Sequence, residues 1–144
     1  MVDKLTVGAL EFCSLPDLEI KNLHMRVDTG AKTSSLHVDN IQEFDRKGKR
    51  WVSFDIHPDY HHVEEVVRRE AKVKSMRTIK MANEVSEKRY VIDTRIILKN
   101  HEWPIELNLT DRSNMTYLML LGREAMAGRV IVDPGEEYLL ADDQ

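Results

Sequence analysis

Short runs that alternate apolar and polar residues recur along the chain, rich in β-branched and aromatic side chains and punctuated by Gly, Pro, Asn and Asp. This is the pattern of half-buried β-strands. Residues 7–13 form the first, ended by a turn at Pro16-Asp17. Residues 23–27 form the second and deliver Asp28. A strand over 36–44 then leads through Arg46-Lys47-Gly48-Lys49-Arg50 into a return arm, 51–56. Residues 90–98 and 103–109 predict a second hairpin around Lys99-Asn100-His101-Glu102. The nearly continuous apolar run 117–121 predicts a strand buried on both sides. Residues 123–127 hold one or two helical turns, ended by Gly128. A closing strand, 130–132, precedes a sharp turn at Asp133-Pro134-Gly135. Even spacing of short strands with one brief helix predicts an all-β fold, a closed or nearly closed barrel. Residues 63–88 are the exception. Their charge density, with Val66-Val67 and Ala71, also fits a short amphipathic helix.

No linker, repeat or low-complexity tract divides the 144 residues, so residues 1–144 read as a single domain. A formal charge of -4 gives no reason to expect nucleic acid, and the basic run 46–50 reads as a hairpin tip. Cys13 is the sole cysteine. It excludes an intramolecular disulfide and a cysteine-based zinc site, and reads as a half-buried strand residue. The absence of a signal pattern and of an apolar run of membrane-spanning length predicts a cytoplasmic protein that does not engage a membrane. Gly122-Arg123 and Gly128-Arg129 do not form a phosphate-cradling loop followed by Lys and Ser/Thr. No cofactor is expected, and any nucleotide dependence would come from a partner.

The chemistry concentrates at Asp28-Thr29-Gly30-Ala31, directly behind a strand and ahead of Thr33-Ser34-Ser35. A carboxylate followed by Thr and Gly places an acid on a tight turn. Gly30 permits close approaches that a side chain forbids, and Thr29 offers a hydroxyl to brace the turn or a partner turn. The same residues also suit a surface Asx-type turn. A second signature, Leu120-Leu121-Gly122-Arg123, lies near the C-terminal end. With it the chain resembles the retropepsin-like aspartic proteases. It looks most like the group labelled ATP-dependent zinc proteases, which is associated with ATP-grasp glutamate ligases acting on ribosomal protein tails. The matching segments are residues 27–34, 103–107, 109–113, 120–123 and 132–135. The resemblance implies a retropepsin-like acid-protease barrel with one short C-terminal helix. It also implies that Leu121, Gly122 and Arg123 support the Asp28 turn from below, and that a flap occupies 79–86. The chain departs from the group between 63 and 88, where Glu64 stands near the place of a cysteine and no Gly occurs.

Hydrolysis in such a fold needs two carboxylates about 3 Å apart that share a proton. The chain carries one Asp-Thr-Gly. The simplest completion is a homodimer in which Asp28 meets its symmetry mate, with Thr29 of each copy cross-bracing the turns as the resemblance implies. Arg123 is expected to anchor the helix to a carboxylate or backbone carbonyl. Asp111-Arg112 is the second place to look. Asp111 pairs with Arg112 or Lys32 in a structural ion pair, or it approaches Asp28 and supplies the missing acid. No His-Glu-x-x-His occurs; the weak metal candidates are His57 and His61, among Asp59, His62, Glu64 and Glu65. His24, His37 and His101 read as isolated strand or turn residues. Three functions follow: a homodimeric aspartic endopeptidase acting on a peptide or protein tail; a catalytically silent module that binds a peptide or a ligase partner; and a metal-dependent hydrolase using His57 and His61.

Overall fold

A computed structural model describes residues 3–58, 65–80, 85–111 and 117–141. The strands among the described residues are β1 (Leu5–Val7), β2 (Leu10–Leu15), β3 (Ile20–Val27), β4 (Ser34–Arg46), β5 (Lys49–Ile56), β6 (Val67–Lys72), β7 (Ser75–Lys80), β8 (Ser86–Leu98), β9 (His101–Asp111), β10 (Met119–Leu121) and β11 (Val130–Val132). Among the described residues one α-helix, α1 (Arg123–Met126), stands between β10 and β11, a 3-10 turn at Pro16–Leu18 follows β2, and Gly128 with its positive φ ends the turn after α1. No described helix is long and apolar enough to cross a membrane.

Strand order explains the barrel. Six strands run β10-β3-β2-β8-β9-β4, and β10 pairs with β4 as well as β3, so the sheet closes on itself. The wall strands contribute Leu15, Leu23, Met25, Leu36, Ile92, Ile96, Leu107 and Leu109 to one buried cluster. Burial of such side chains is the main drive for closure, and closure removes the exposed edges that a short sheet would leave. Two hairpin arms extend the wall. The basic run is a hairpin tip: Arg46 pairs with Lys49, and Lys47 and Gly48 take the positive φ of a two-residue turn. Beyond it, β6 adds to β5, and β7 pairs with the first half of β8 from Ser75↔Val91 to Lys80↔Ser86.

Several expectations are corrected. Residues 67–72 form a strand, not a helix; their exposure alternates residue by residue because β6 lies on β5 with one face covered. The flap expected over 79–86 falls at the turn end of the β7–β8 hairpin, where Lys80 pairs with Ser86; residues 81–84 lie outside the described residues. The first strand breaks into β1 and β2 at Gly8-Ala9. A Cβ on Gly8 would lie 2.5 Å from the Glu136 carbonyl oxygen, and the Ala9 N–H donates to that oxygen at 2.7 Å. The chain turns there to let β1 pair with β11. The second hairpin turn is shorter than read, Leu98 pairing with His101 across Lys99-Asn100. Cys13 is fully buried rather than half-buried, against the Met119 sulfur at 3.7 Å, and burial pushes its thiol up to about 12. His24 is not isolated: it is buried, stacks on Phe12 and Tyr138, and lies 2.6 Å from the Tyr138 hydroxyl.

One buried carboxylate helps to hold the C-terminal segment. Glu11 accepts hydrogen bonds from the backbone N–H groups of Gly8 (2.8 Å), Leu139 (2.9 Å) and Leu140 (3.2 Å). Glu11→Ala is expected to destabilise the protein by about 2 kcal/mol, since it strands these donors. Denaturant unfolding measures the loss, and hydrogen exchange should show faster exchange at Leu139 and Leu140 than in the parent.

Candidate active site

Asp28 sits where β3 runs out. Its N–H donates to the Leu121 carbonyl at 2.9 Å, one step beyond the Val27↔Leu121 pair, so β10 supports the turn from beside β3. The half-buried carboxylate accepts the Gly30 N–H at 2.9 Å. A Cβ on Gly30 would meet that same oxygen at 3.2 Å, so glycine permits the tight return. The Ala31 N–H closes the turn onto the Asp28 carbonyl at 3.2 Å. Thr29 and Gly30 are exposed at the tip.

From below, β10 and α1 lock this loop. The Gly122 N–H donates to the Ser34 hydroxyl at 2.9 Å, and the Arg123 and Glu124 N–H groups donate to the carbonyls of Ala31 and Lys32 at 2.8 and 3.1 Å. The first amides of α1, which have no partner within the helix, therefore hold the loop. Gly122 passes so close that a Cβ there would lie 2.4 Å from the Thr33 carbonyl oxygen. Arg123 reaches the Thr29 and Gly30 carbonyls only at 3.4 and 3.3 Å, long contacts that set its guanidinium over the turn.

Asn108 ties the loop to the barrel floor. Its amide donates to the Thr33 hydroxyl (3.1 Å) and the Ser34 carbonyl (2.9 Å), while its carbonyl accepts from Ser35 (2.9 Å) and Arg89 (2.9 Å). Sequence reading missed Asn108 and Arg89. The available signal was a carboxamide inside an otherwise apolar strand run, flanked by Leu107 and Leu109.

The other candidates lie elsewhere. In the parallel β4–β9 pairing Ser34 stands beside Leu107 and Asp111 beside Val38. Asp111 is thus four residues along from the Ser34 level, roughly 13 Å at the strand rise, away from the Asp28 turn. Arg112 lies outside the described residues. His57 is buried at the end of β5, 2.6 Å from Asp39; His61 lies outside the described residues. Among the described residues no three His, Cys, Asp or Glu side chains group to hold a metal.

A cleft of about 660 Å³ opens beside the Asp28 loop, between residues 30–33 and the β7–β8 arm. Its lining carries Lys32, Arg77, Lys80 and Arg89 against Glu106 and Glu124. Glu106 is engaged, holding Lys74 at 2.7 Å and Arg77 at 3.0 Å. These cations, Lys74 first, keep its carboxyl below the usual glutamate range. On the other side of Thr29 an apolar shelf is formed by Met126, Ala127, Val130 and Val132.

A closed barrel that presents an Asp-Thr-Gly-Ala turn on a Leu-Leu-Gly-Arg support defines a retropepsin-like protein. The chain belongs to the RimB-like family, matching the model for "Retropepsin-like aspartic endopeptidase RimB" over residues 6–142. It is 48% identical over 142 residues to a probable alpha-L-glutamate ligase from Parasynechococcus marenigrum, covering 99% of this chain and 30% of that protein. A probable alpha-L-glutamate ligase from Shewanella pealeana is 46% identical over 140 residues, covering 97% of this chain and 31% of that one. The chain thus spans about a third of the length of these curated relatives. A crystal structure of a Legionella pneumophila protein of unknown function superposes with a TM-score of 0.79 at 28% identity, covering 96% of this chain and 100% of that one.

The Gly122–Thr33 contact is directly testable. Gly122→Ala forces the Asp28 loop off its support, because the atoms a Cβ would meet are backbone. A loss of about 2 kcal/mol or more in denaturant unfolding is expected. A variant as stable as the parent would show that the loop yields freely.

Proposed function

We propose that the chain is an aspartic endopeptidase that works as a homodimer and cuts acidic protein tails. The observation that carries this reading is the Asp28 carboxylate, presented half-buried at an exposed turn and locked by the Gly30 N–H at 2.9 Å. Among the described residues, Asp28 hydrogen-bonds to no other side chain, and Asp111 stands too far along β9 to share a proton with it. A second copy supplies the missing acid. Two Asp28 carboxylates pressed together across a twofold axis cannot both ionise; the charged one takes a proton from a bound water, and the protonated one donates to the scissile carbonyl. The apolar shelf beside Thr29, with Ile131 exposed next to it, is a surface that such a partner would cover.

Two observations support an acidic substrate. The cleft lining is cationic although the chain as a whole carries a charge of -4, and the curated relatives sharing this region are named glutamate ligases. Those names also favour a second reading, in which the cleft grips a glutamate tail for a ligase, in the same or another chain, without cutting it.

Cleavage of a glutamate-tailed peptide, followed by mass spectrometry, separates the two. Asp28→Asn is expected to lower the rate by about a thousandfold while leaving fold and peptide binding intact. When parent and Asp28→Asn subunits are refolded together in equal amounts, only about one dimer in four keeps both acids, so activity per parent subunit halves. Unchanged cleavage by Asp28→Asn, or full activity in a strict monomer, defeats the proposal. Binding without cleavage by the parent favours the silent module.

A further inference from the structure

Arg89 differs from the other cations of the cleft in being built in. Lys32 and Lys80 are exposed, and the Arg77 side chain, paired with Glu106, is still 39% exposed. The Arg89 side chain is only 11% exposed. It is fixed at two corners: Nε donates to Glu87 at 2.8 Å, and Nη1 donates to the Asn108 carbonyl oxygen at 2.9 Å, with the Ser35 hydroxyl at 3.5 Å. Nη2 hydrogen-bonds to nothing among the described residues, yet it is not among the polar atoms sealed from solvent without a partner. Arg89 lines the cleft and Glu87 does not.

Burying a guanidinium is costly unless each face is matched. Two faces of this one are matched by the protein, and the third, on a side chain that lines the cleft beside the Asp28 loop, is not. A planar fork held rigid by its own hydrogen bonds loses little freedom when it takes a carboxylate. From this geometry we infer that Arg89 is the specificity-determining residue of the cleft, its Nη2 receiving the side-chain carboxylate of an acidic residue in an extended peptide. The inference rests on the acidic-tail reading above and names the residue that would enforce it. Arg89 also shares Asn108 with the Asp28 loop, so a seated carboxylate would bear on a group that positions Thr33 and Ser34.

The test uses the Asp28→Asn protein, so that binding is read without cleavage, and two peptides of equal length, one of glutamates and one of glutamines. Calorimetry gives the ratio of their dissociation constants. Adding Arg89→Gln is expected to reduce the preference for the glutamate peptide by about tenfold, the scale of one charge-assisted hydrogen bond. A merely structural Arg89 would weaken both peptides together and leave the ratio unchanged, which overturns the inference. If Arg89→Gln fails to fold, arginine side-chain NMR of the protein with Arg89 intact decides. The Arg89 guanidinium signals should move with the glutamate peptide and stay still with the glutamine peptide; no movement with either overturns the inference. Failure of the endopeptidase reading looks different: the parent cuts nothing, while Arg89-dependent glutamate selectivity persists.

Discussion

One backbone crossing holds the rest in place: the end of β10 passes under the Asp28 loop with Gly122 against the Thr33 carbonyl, leaving no room for a side chain. The same three-residue strand lies between β3 and β4 and closes the barrel. Closure of the hydrophobic core and support of the acid are therefore one structural event. Met119 and Leu121 are fully buried, so withdrawing β10 from the loop would expose core side chains as well as break the Asp28–Leu121 hydrogen bond. A site mounted in this way is held as rigidly as the core itself, which suits chemistry that needs carboxylates fixed within tenths of an ångström.

Above this support the interior turns polar. Ser34, Ser35, Asn108 and Thr33 satisfy one another and reach Arg89 at the root of the β7–β8 arm. Buried polar groups with every partner in place favour one arrangement over its neighbours, since each alternative leaves a donor or acceptor stranded. The network joins two parts of the cleft that are far apart in sequence, the loop that carries the acid and the arm that overhangs it. Cleft charge and loop position are linked through a single carboxamide.

Where the chain is exposed beside the turn, its surface has two characters. Toward the arm it is cationic; toward α1 and β11 it is apolar. The first suits an extended acidic chain and the second suits a protein surface. Both border the turn that carries Asp28. A tail-cutting dimer uses both faces at once, whereas a silent binding module needs only the first.

Much of this was legible in the residue order. Alternation with period two marks strands, because a half-covered sheet alternates its environment along every strand. The strand behind Asp28 was read this way, the central hairpins from their β-branched and aromatic runs, and the 117–121 run from its unbroken apolar character; Asp28-Thr29-Gly30-Ala31 and Leu120-Leu121-Gly122-Arg123 were legible because local turn geometry demands particular residue types. Contacts distant along the chain were not legible. Gly8 breaks a strand because Glu136 arrives beside it; residues 67–72 are strand because β5 lies alongside; His24 is buried because Tyr138 covers it. Arg89 looks like any surface cation until Asn108, nineteen positions later, takes one of its corners. Local backbone preference and periodicity are written in neighbouring residues. Which surface each side chain meets depends on closure of the barrel, and that only the assembled fold decides.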